Sequence, residues 1–129
     1  MNIKKLQLEA IFNMLKSTDG HLNFSDARVR DQILKPLSEQ LKTYFDDREK
    51  IYKAFCIKKE DGTPDLQDGN KYQFEPEKID EINKELLTLG EEEVDLYVTD
   101  NVAKFREIML KSEYKPKVGE SELIESVIE

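Results

Sequence analysis

Residues 25–58 decide the fold, and they read SDARVRDQILKPLSEQLKTYFDDREKIYKAFCIK. The apolar residues in this stretch recur at steps of three and four, which places them on one face of an α-helix. That face consists of Ile33, Leu37, Leu41, Tyr44, Phe45, Ile51, Tyr52 and Phe55, with Arg48 in the remaining position. The stretch therefore predicts one long helix, which would be the spine of the domain.

Pro36 interrupts this apolar stripe, because proline lacks a backbone N–H and clashes with the preceding turn. Two outcomes fit the sequence: a helix that kinks at Pro36, or one that ends at Lys35 and restarts with Pro36 in its first turn. The stripe keeps its phase across the proline, which favours the kinked helix. Ser25 or Asp26 is the expected N-cap, since either side chain can accept a hydrogen bond from a free backbone amide.

Shorter apolar stripes predict further helices on both sides of the long one. Residues 3–16 form the first of them. Residues 76–90 form another, with Pro76 in its first turn and Gly90 as the residue that ends it. A further helix is expected to follow Asp100, which would be its N-cap.

Two short segments have the alternating pattern of β-strands. Residues 71–74 alternate long polar and aromatic side chains, and residues 93–99 alternate polar side chains with apolar ones. We expect residues 93–99 to pair with residues 71–74 or with the chain near Cys56. The predicted fold class is therefore mainly α, with four or five helices arranged around the long one and a small two-stranded β element.

The length of 129 residues is typical of a single domain. Within it, residues 112–119 are expected to be a linker to a C-terminal helical segment over residues 120–129. No apolar run approaches the ~20 residues of a membrane span, and the first residues lack the apolar region of a signal peptide. The single cysteine leaves no internal disulfide framework, which fits a reducing compartment. These features predict a cytoplasmic protein with no membrane association.

The net charge of −8 is distributed unevenly along the chain. Residues 1–74 carry 13 basic and 12 acidic side chains, a balance of +1, whereas residues 75–129 carry 7 basic and 16 acidic ones, a balance of −9. This negative field repels phosphate backbones, so we expect no direct binding to nucleic acid. It would attract a basic protein surface, although the simplest interpretation is that the charge keeps the protein soluble.

The candidate partner-binding residues are Glu91, Glu92, Glu93 and Asp95, which lie where a predicted helix meets a predicted strand. No histidine accompanies these carboxylates, so neither a metal site nor acid–base chemistry is indicated. They would present negative charge to a basic partner. A solvated run of charge is the alternative interpretation.

No group of residues has the spacing of a catalytic or cofactor-binding site. His21 and Cys56 are the candidates for a base and its nucleophile, but Cys56 is expected to be a small buried apolar residue. The acidic loop that begins at Asp61 resembles a calcium loop, yet it has Leu66 where glycine is required and Tyr72 where glutamate is required. No glycine-rich phosphate loop is present. We therefore predict no enzyme activity, no cofactor and no metal ligand.

Five short motifs follow one another between residues 30 and 96. They are Leu34-Lys35-x-Leu37, Tyr44-x-x-x-Arg48-x-x-x-Tyr52, Lys71-Tyr72-x-Phe74, Glu85-Leu86-Leu87 and Glu93-Val94-x-Leu96. Their order resembles a family of small uncharacterised proteins encoded by phages and prophages of low-GC Gram-positive bacteria. The resemblance covers about half of the chain, and the sequence departs from it at Pro36 and in the terminal segments. It implies a phage or prophage origin and a location in the bacterial host cytoplasm, without implying an activity or a site residue.

These observations predict a non-enzymatic, phage-encoded accessory protein that acts by binding another protein. One form of this hypothesis is inhibition of a host defence or nucleic-acid-binding protein through the acidic surface. The alternative is a structural or assembly role in the virion, as a head or tail accessory protein. The expected partner is a host or phage protein, and an uncovered part of the long helix would also support a homodimer.

Overall fold

The computed structural model describes residues 1–96, 102–112, 114, 115, 119 and 124. Its α-helices are α1 (Leu8–Lys16), α2 (Phe24–Phe55), α3 (Ile79–Glu91) and α4 (Val102–Leu110). Its strands are β1 (Asn2–Lys4), β2 (Leu66–Gln67), β3 (Lys71–Tyr72) and β4 (Glu93–Asp95). The protein is therefore mainly helical with one long helix and a small antiparallel β component, which confirms the predicted fold class.

Helix α2 is continuous from Phe24 to Phe55, and Pro36 lies inside it. The predicted alternative, in which the helix ends before Pro36 and restarts there, is therefore wrong. The N-cap prediction is also wrong, because Asn23 caps the helix and its Oδ1 accepts a hydrogen bond from the backbone N–H of Asp26 at 2.8 Å. At 1.5 Å per residue, the 32 residues of α2 span about 48 Å.

The N-terminal segment departs from the single helix predicted over residues 3–16. Residues 2–4 form strand β1, residues 5–7 form a 3-10 turn, and α1 begins only at Leu8. The reason is long-range pairing, because β1 runs antiparallel to β4 with Ile3 opposite Val94. Ile3 is buried in this arrangement, so its apolar side chain fits a strand as well as a helix.

The predicted pairing of the strand over residues 93–99 is also wrong. Strand β4 pairs with β1, and neither residues 71–74 nor the chain near Cys56 contacts it as a strand. Strand β3 instead pairs with β2 in a hairpin whose connecting residues Asp68, Gly69 and Asn70 all have positive φ, at 40°, 77° and 85°. Residues 97–99 of the predicted strand and the predicted cap Asp100 lie outside the described residues.

Gly90 does not end the third helix, contrary to the prediction, because α3 continues to Glu91. A Cβ atom on Gly90 would lie 3.2 Å from the Cβ of Leu6 and 3.5 Å from the hydroxyl oxygen of Tyr44. Glycine therefore allows close packing of α3 against the N-terminal segment and α2, and a larger residue would require Leu6 to shift.

The main hydrophobic core lies between α1, the first half of α2 and α4. Its buried members are Ile3, Leu8, Ala10, Ile11, Met14, Leu15, Ile33, Leu37, Leu41, Leu96, Phe105, Ile108, Met109 and Ile124. Ile124 is helical and 4% exposed, so the segment predicted over residues 120–129 contacts the core at this position. The other residues of that segment lie outside the described part of the chain.

A buried carboxylate joins the first turn of α2 to α4. Asp26 is 3% exposed, and its two oxygens pair with Lys104 Nζ at 3.2 Å and Lys111 Nζ at 3.1 Å. Hydrogen bonds from Lys111 and Lys104 lower the pKa of the Asp26 carboxyl group. The sequence predicts a capping role for Asp26. In the structure its carboxylate instead pairs with a lysine in α4 and with the lysine that directly follows this helix.

Candidate functional site

The candidate residues Glu91 and Glu93 lie beside a lysine of the N-terminal strand. Lys4 Nζ is 2.6 Å from Glu91 Oε2, and Lys4 is also the residue opposite Glu93 in the β1–β4 pair. The hydrogen bond with Glu91 raises the pKa of the Lys4 ammonium group, and the charge of Glu93 acts in the same direction. Part of the negative charge of this run is therefore neutralised within the chain.

Glu92 and Asp95, the other two candidate residues, also contact the N-terminal segment. Lys5 Nζ lies 2.5 Å from Glu92 Oε2, and the amino group of Met1 lies 3.2 Å from Asp95 Oδ1. Exposed ion pairs of this kind each contribute little to stability. The structure thus brings the four predicted residues together at the β1–β4 pair, with basic groups of the same chain beside them.

A second set of carboxylates lies at the other end of α3, and we call it the acidic patch. It consists of the exposed residues Glu75, Glu77, Asp80, Glu81 and Glu85. Within the described residues, the one ion pair in this patch joins Lys78 Nζ to Glu81 Oε2 at 3.9 Å. The acidic patch therefore retains more of its negative charge than the run from Glu91 to Asp95.

Two large apolar side chains are exposed on the same helix as the acidic patch. Ile79 is 46% exposed and Leu87 is 61% exposed, whereas Ile82 and Leu89 of α3 are buried. Exposed apolar side chains and charged ones thus occur on the same helix, and both kinds of side chain are found in protein interfaces. The sequence shows the negative balance of this region but not which of its carboxylates are paired with basic groups.

The second half of α2 and the β2–β3 hairpin form another surface, which we call the aromatic patch. It consists of Tyr44, Phe45, Arg48, Tyr52, Tyr72 and Phe74, none of which is buried. The sequence placed the helical members on one face of α2 but could not show that this part of the face stays partly uncovered. Tyrosine and arginine are the residue types that most often dominate binding at protein interfaces.

Arg48 occupies the centre of the helical part of this patch. Its guanidinium carbon lies 5.6 Å from the ring centre of Tyr44 and 5.7 Å from that of Phe45, which is within the range of cation–π contacts. One N–H donates to the hydroxyl of Tyr52 at 3.4 Å. Burial lowers the pKa of the Arg48 guanidinium group, but the hydrogen bond to Tyr52 and the charges of nearby groups, including Glu9, raise it overall.

The hairpin adds two aromatic rings to the patch. The ring of Tyr52 lies 6.1 Å from that of Tyr72 and 5.9 Å from that of Phe74. The Tyr72 hydroxyl donates to Glu49 Oε1 at 2.5 Å, and this hydrogen bond raises the pKa of Tyr72 to about 12. These contacts attach the hairpin to α2 through side chains.

The predicted burial of Cys56 is confirmed, because this residue is 6% exposed. Cys56 directly follows α2, whereas His21 lies shortly before the start of that helix. The length of α2, about 48 Å, therefore separates the two residues. The two residues therefore do not form a nucleophile–base pair. Asp61, in the loop weighed as a calcium site, accepts hydrogen bonds from Thr63 N at 3.0 Å and Thr63 Oγ1 at 2.6 Å, as in a plain turn.

No metal-binding group of three or more histidine, cysteine, aspartate or glutamate residues occurs in the part of the chain that the structure describes. In the same part, no helix combines the length and the apolar character that a membrane span requires. Comparison of the chain with protein-family models, curated proteins and solved structures finds no match.

Proposed function

We propose that this chain is a phage-encoded, non-enzymatic accessory protein that acts by binding a basic surface on another protein. The acidic patch at the start of α3 is the observation that carries this proposal. Five exposed carboxylates occur there within eleven residues, accompanied by two lysines, so residues 75–85 have a balance of −3. A partner with a basic functional surface would be attracted by this field.

The apolar residues beside the acidic patch support a specific interface over simple solubility. Ile79 and Leu87 expose large hydrophobic side chains that water solvates unfavourably. Charge would steer the partner towards α3, and burial of these two side chains would add affinity. A host defence or nucleic-acid-binding protein is the expected class of target, since such proteins carry basic surfaces of the required kind.

The carboxylates of Glu91, Glu92, Glu93 and Asp95 take a secondary part in this proposal. They face Lys4, Lys5 and the amino group of Met1, so their reversal is expected to loosen the β1–β4 pair before it affects a partner. The acidic patch is therefore the better place to test binding.

The test is affinity capture of the tagged full chain from infected host cells at low salt, with partners identified by mass spectrometry. The double variant Glu77→Lys/Glu81→Lys should lose the captured protein, because it reverses two charges in the acidic patch. The matched control is Glu39→Lys/Glu60→Lys, which makes the same change in net charge at exposed positions elsewhere and should retain the partner.

Equal capture by both variants would contradict a role for the acidic patch. A stoichiometric host protein with a basic functional surface would support inhibition of that protein. Recovery of phage head or tail proteins would instead support the assembly role. In either case circular dichroism of both variants establishes that loss of binding is not loss of folding.

A further inference from the structure

We propose that Asp68–Gly69 is a site of spontaneous covalent modification, at which Asp68 converts to isoaspartate while the chain is folded. The chain has three Asp–Gly pairs, and the other two are Asp19–Gly20 and Asp61–Gly62. The fold restrains those two pairs and leaves Asp68–Gly69 reactive. This modification is separate from the proposed function and does not depend on it.

The reaction is an internal cyclisation, which glycine favours because it has no side chain to hinder the approach of its nitrogen. The backbone nitrogen of Gly69 attacks Cγ of the protonated Asp68 carboxyl group and forms a C–N bond. A C–O bond of the carboxyl group breaks, and its hydroxyl leaves as water with the proton of the nitrogen. Water then opens the cyclic imide at the α-carbonyl carbon, so the main chain runs through the former side chain with no net change in composition.

Exposure to water does not distinguish the three Asp–Gly pairs. Both residues of each pair are exposed, and all three glycines have positive φ, at 81° for Gly20, 85° for Gly62 and 77° for Gly69. The difference in reactivity must therefore come from what holds the carboxyl group and the amide nitrogen that react.

Both reacting groups of the Asp61–Gly62 pair are held. The Asp61 carboxylate accepts hydrogen bonds from Thr63 N at 3.0 Å and from Thr63 Oγ1 at 2.6 Å. These hydrogen bonds lower the pKa of the Asp61 carboxyl group, so the protonated form that cyclises is rarer. The Gly62 N–H donates to the carbonyl oxygen of Lys59 at 3.0 Å, which fixes the orientation of the attacking nitrogen.

The carboxylate of the Asp19–Gly20 pair is held by an arginine of α2. Asp19 Oδ1 lies 2.9 Å from Arg30 Nη1, and the Arg30 side chain is only 12% exposed. The same Nη1 donates to Thr18 Oγ1 at 3.2 Å, so the arginine is itself fixed in place. The ion pair restricts the rotation of the Asp19 side chain that cyclisation requires.

Neither reacting group is held at Asp68–Gly69. Within the part of the chain that the structure describes, the Asp68 carboxylate and the Gly69 N–H form no hydrogen bond or ion pair. Asp68, Gly69 and Asn70 form the turn between β2 and β3, which are two residues long each. The Asp68 side chain and the Gly69 amide are therefore free to reach the geometry of cyclisation.

Isoaspartate at this position would lengthen the main chain of the turn by one carbon atom. The turn leads directly into β3, where Tyr72 stacks on Tyr52 and donates a hydrogen bond to Glu49. The modification thus falls in the hairpin that carries Tyr72 of the aromatic patch.

The experiment incubates the purified full chain at neutral pH and follows isoaspartate with time. Methyl transfer by an isoaspartate-specific methyltransferase measures the total amount, and fragmentation of tryptic peptides in mass spectrometry locates it. Trypsin releases residues 60–71 as one peptide that contains both Asp61 and Asp68, so the two yields are compared directly. We expect at least about tenfold more isoaspartate at Asp68 than at Asp61, because the hydrogen bonds of Asp61 must break first.

The controls separate the effect of the fold from that of the sequence. In urea, where the chain is unfolded, Asp61 and Asp68 should react at similar rates. Asp68→Glu should lose most of the methyl acceptance of the folded chain, since glutamate would have to form a larger ring, whereas the matched variant Asp61→Glu should keep it. Thr63→Ala removes one hydrogen bond from Asp61 and should raise the yield there. Circular dichroism establishes that each variant is folded.

Equal yields at Asp61 and Asp68 in the folded chain would overturn the proposal. So would a folded chain without isoaspartate at Asp68 during a period in which the unfolded chain forms it at both positions. Undiminished methyl acceptance in Asp68→Glu would also overturn it, because the modified residue would then lie elsewhere. Deamidation of Asn70 in the same peptide is recognised by its change in mass, which isomerisation of Asp68 does not cause.

Discussion

The two halves of α2 have the same helical period but different surroundings. In residues 24–41 the stripe is aliphatic, and Ile33, Leu37 and Leu41 are buried in the core against α1 and α4. In residues 44–55 the stripe is mostly aromatic, and no residue of it is buried. Periodicity therefore predicts which face of a helix is apolar, but not how completely other elements cover that face.

Residue type explains part of this difference. An aliphatic side chain has no polar group, so leaving it exposed gives no compensating contact. Tyrosine and arginine have an apolar body and a polar tip, so they suit a surface that is only partly covered. The first half of α2 therefore belongs to the structural core, whereas the second half is only partly covered by its neighbours.

The largest expected effect comes from truncating the first half of the stripe. Leu37 is fully buried, so Leu37→Ala should lower the free energy of unfolding by about 2–5 kcal/mol, through lost burial and the cavity left behind. Tyr52→Ala in the second half should cost about 1–2 kcal/mol, because its ring keeps part of its exposure when folded. Urea unfolding of both variants measures the contrast, and equal losses would remove the distinction between the halves.

A smaller effect is expected where α3 meets the second half of α2. Gly90→Ala would place a Cβ 3.2 Å from Leu6 Cβ, which is bound directly to the backbone and moves little. Overpacking costs about 1–3 kcal/mol, whereas the helical preference of alanine over glycine returns about 1 kcal/mol. We expect a net loss of stability in urea unfolding, and a more stable variant would show that the N-terminal segment adapts freely.

The first half of α2 should determine part of the acid response. The lysine contacts of Asp26 lower its folded pKa, so its stabilisation is present above the unfolded value of about 3.9. It is lost as the pH falls through the lower folded value. Asp26→Asn should therefore lower the melting temperature at neutral pH and flatten its fall in acid. If the melting temperature of the variant falls in acid as steeply as that of the unmodified chain, other carboxyl groups control the acid response.

The second half should respond at the opposite end of the pH scale. The hydrogen bond to Glu49 raises the pKa of Tyr72 to about 12, above an unfolded value of about 10. Its stabilisation is thus complete below about 10 and is lost as the pH rises through about 12. Tyr72→Phe should reduce this alkaline loss, and ultraviolet titration should show one fewer late-ionising tyrosine. If the late-ionising group persists in the variant, it belongs to another tyrosine.

The smallest effect is expected at the ion pairs of the N-terminal strand. Lys4→Glu places two carboxylates together beside Glu93 and should lower the melting temperature slightly, more at low salt than at high salt. The double variant Lys4→Glu/Glu91→Lys restores the pair and should recover the loss. Failure of the second change to recover any stability would show that this contact has no part in holding β1.

The fold was predictable where the information is local. The spacing from Ile33 to Phe55 suffices for the long helix, and the alternation around Val94 suffices for a strand. The partner of that strand was not predictable, because Ile3 lies about ninety residues away and its apolar spacing also fits a helix. Pairing between distant segments is set by tertiary packing, which overrides a local pattern.

The candidate site was predictable only in its overall charge. The sequence shows the negative balance beyond residue 75, but not that Lys4 and Lys5 lie beside Glu91 and Glu92. That pairing depends on the β1–β4 register, and it leaves more unpaired negative charge at the start of α3 than in this run. The aromatic patch was predictable as a helical face, and its incomplete burial was not.

The most direct test of the difference between the halves of α2 compares the stability of Phe45→Ala and Leu37→Ala in urea unfolding. Phe45 is 39% exposed, so Phe45→Ala should lower the free energy of unfolding by less than about 1 kcal/mol. Leu37 is fully buried, so Leu37→Ala should lower it by about 2–5 kcal/mol. Equal losses in the two variants would contradict the account that the second half of the apolar stripe is only partly covered.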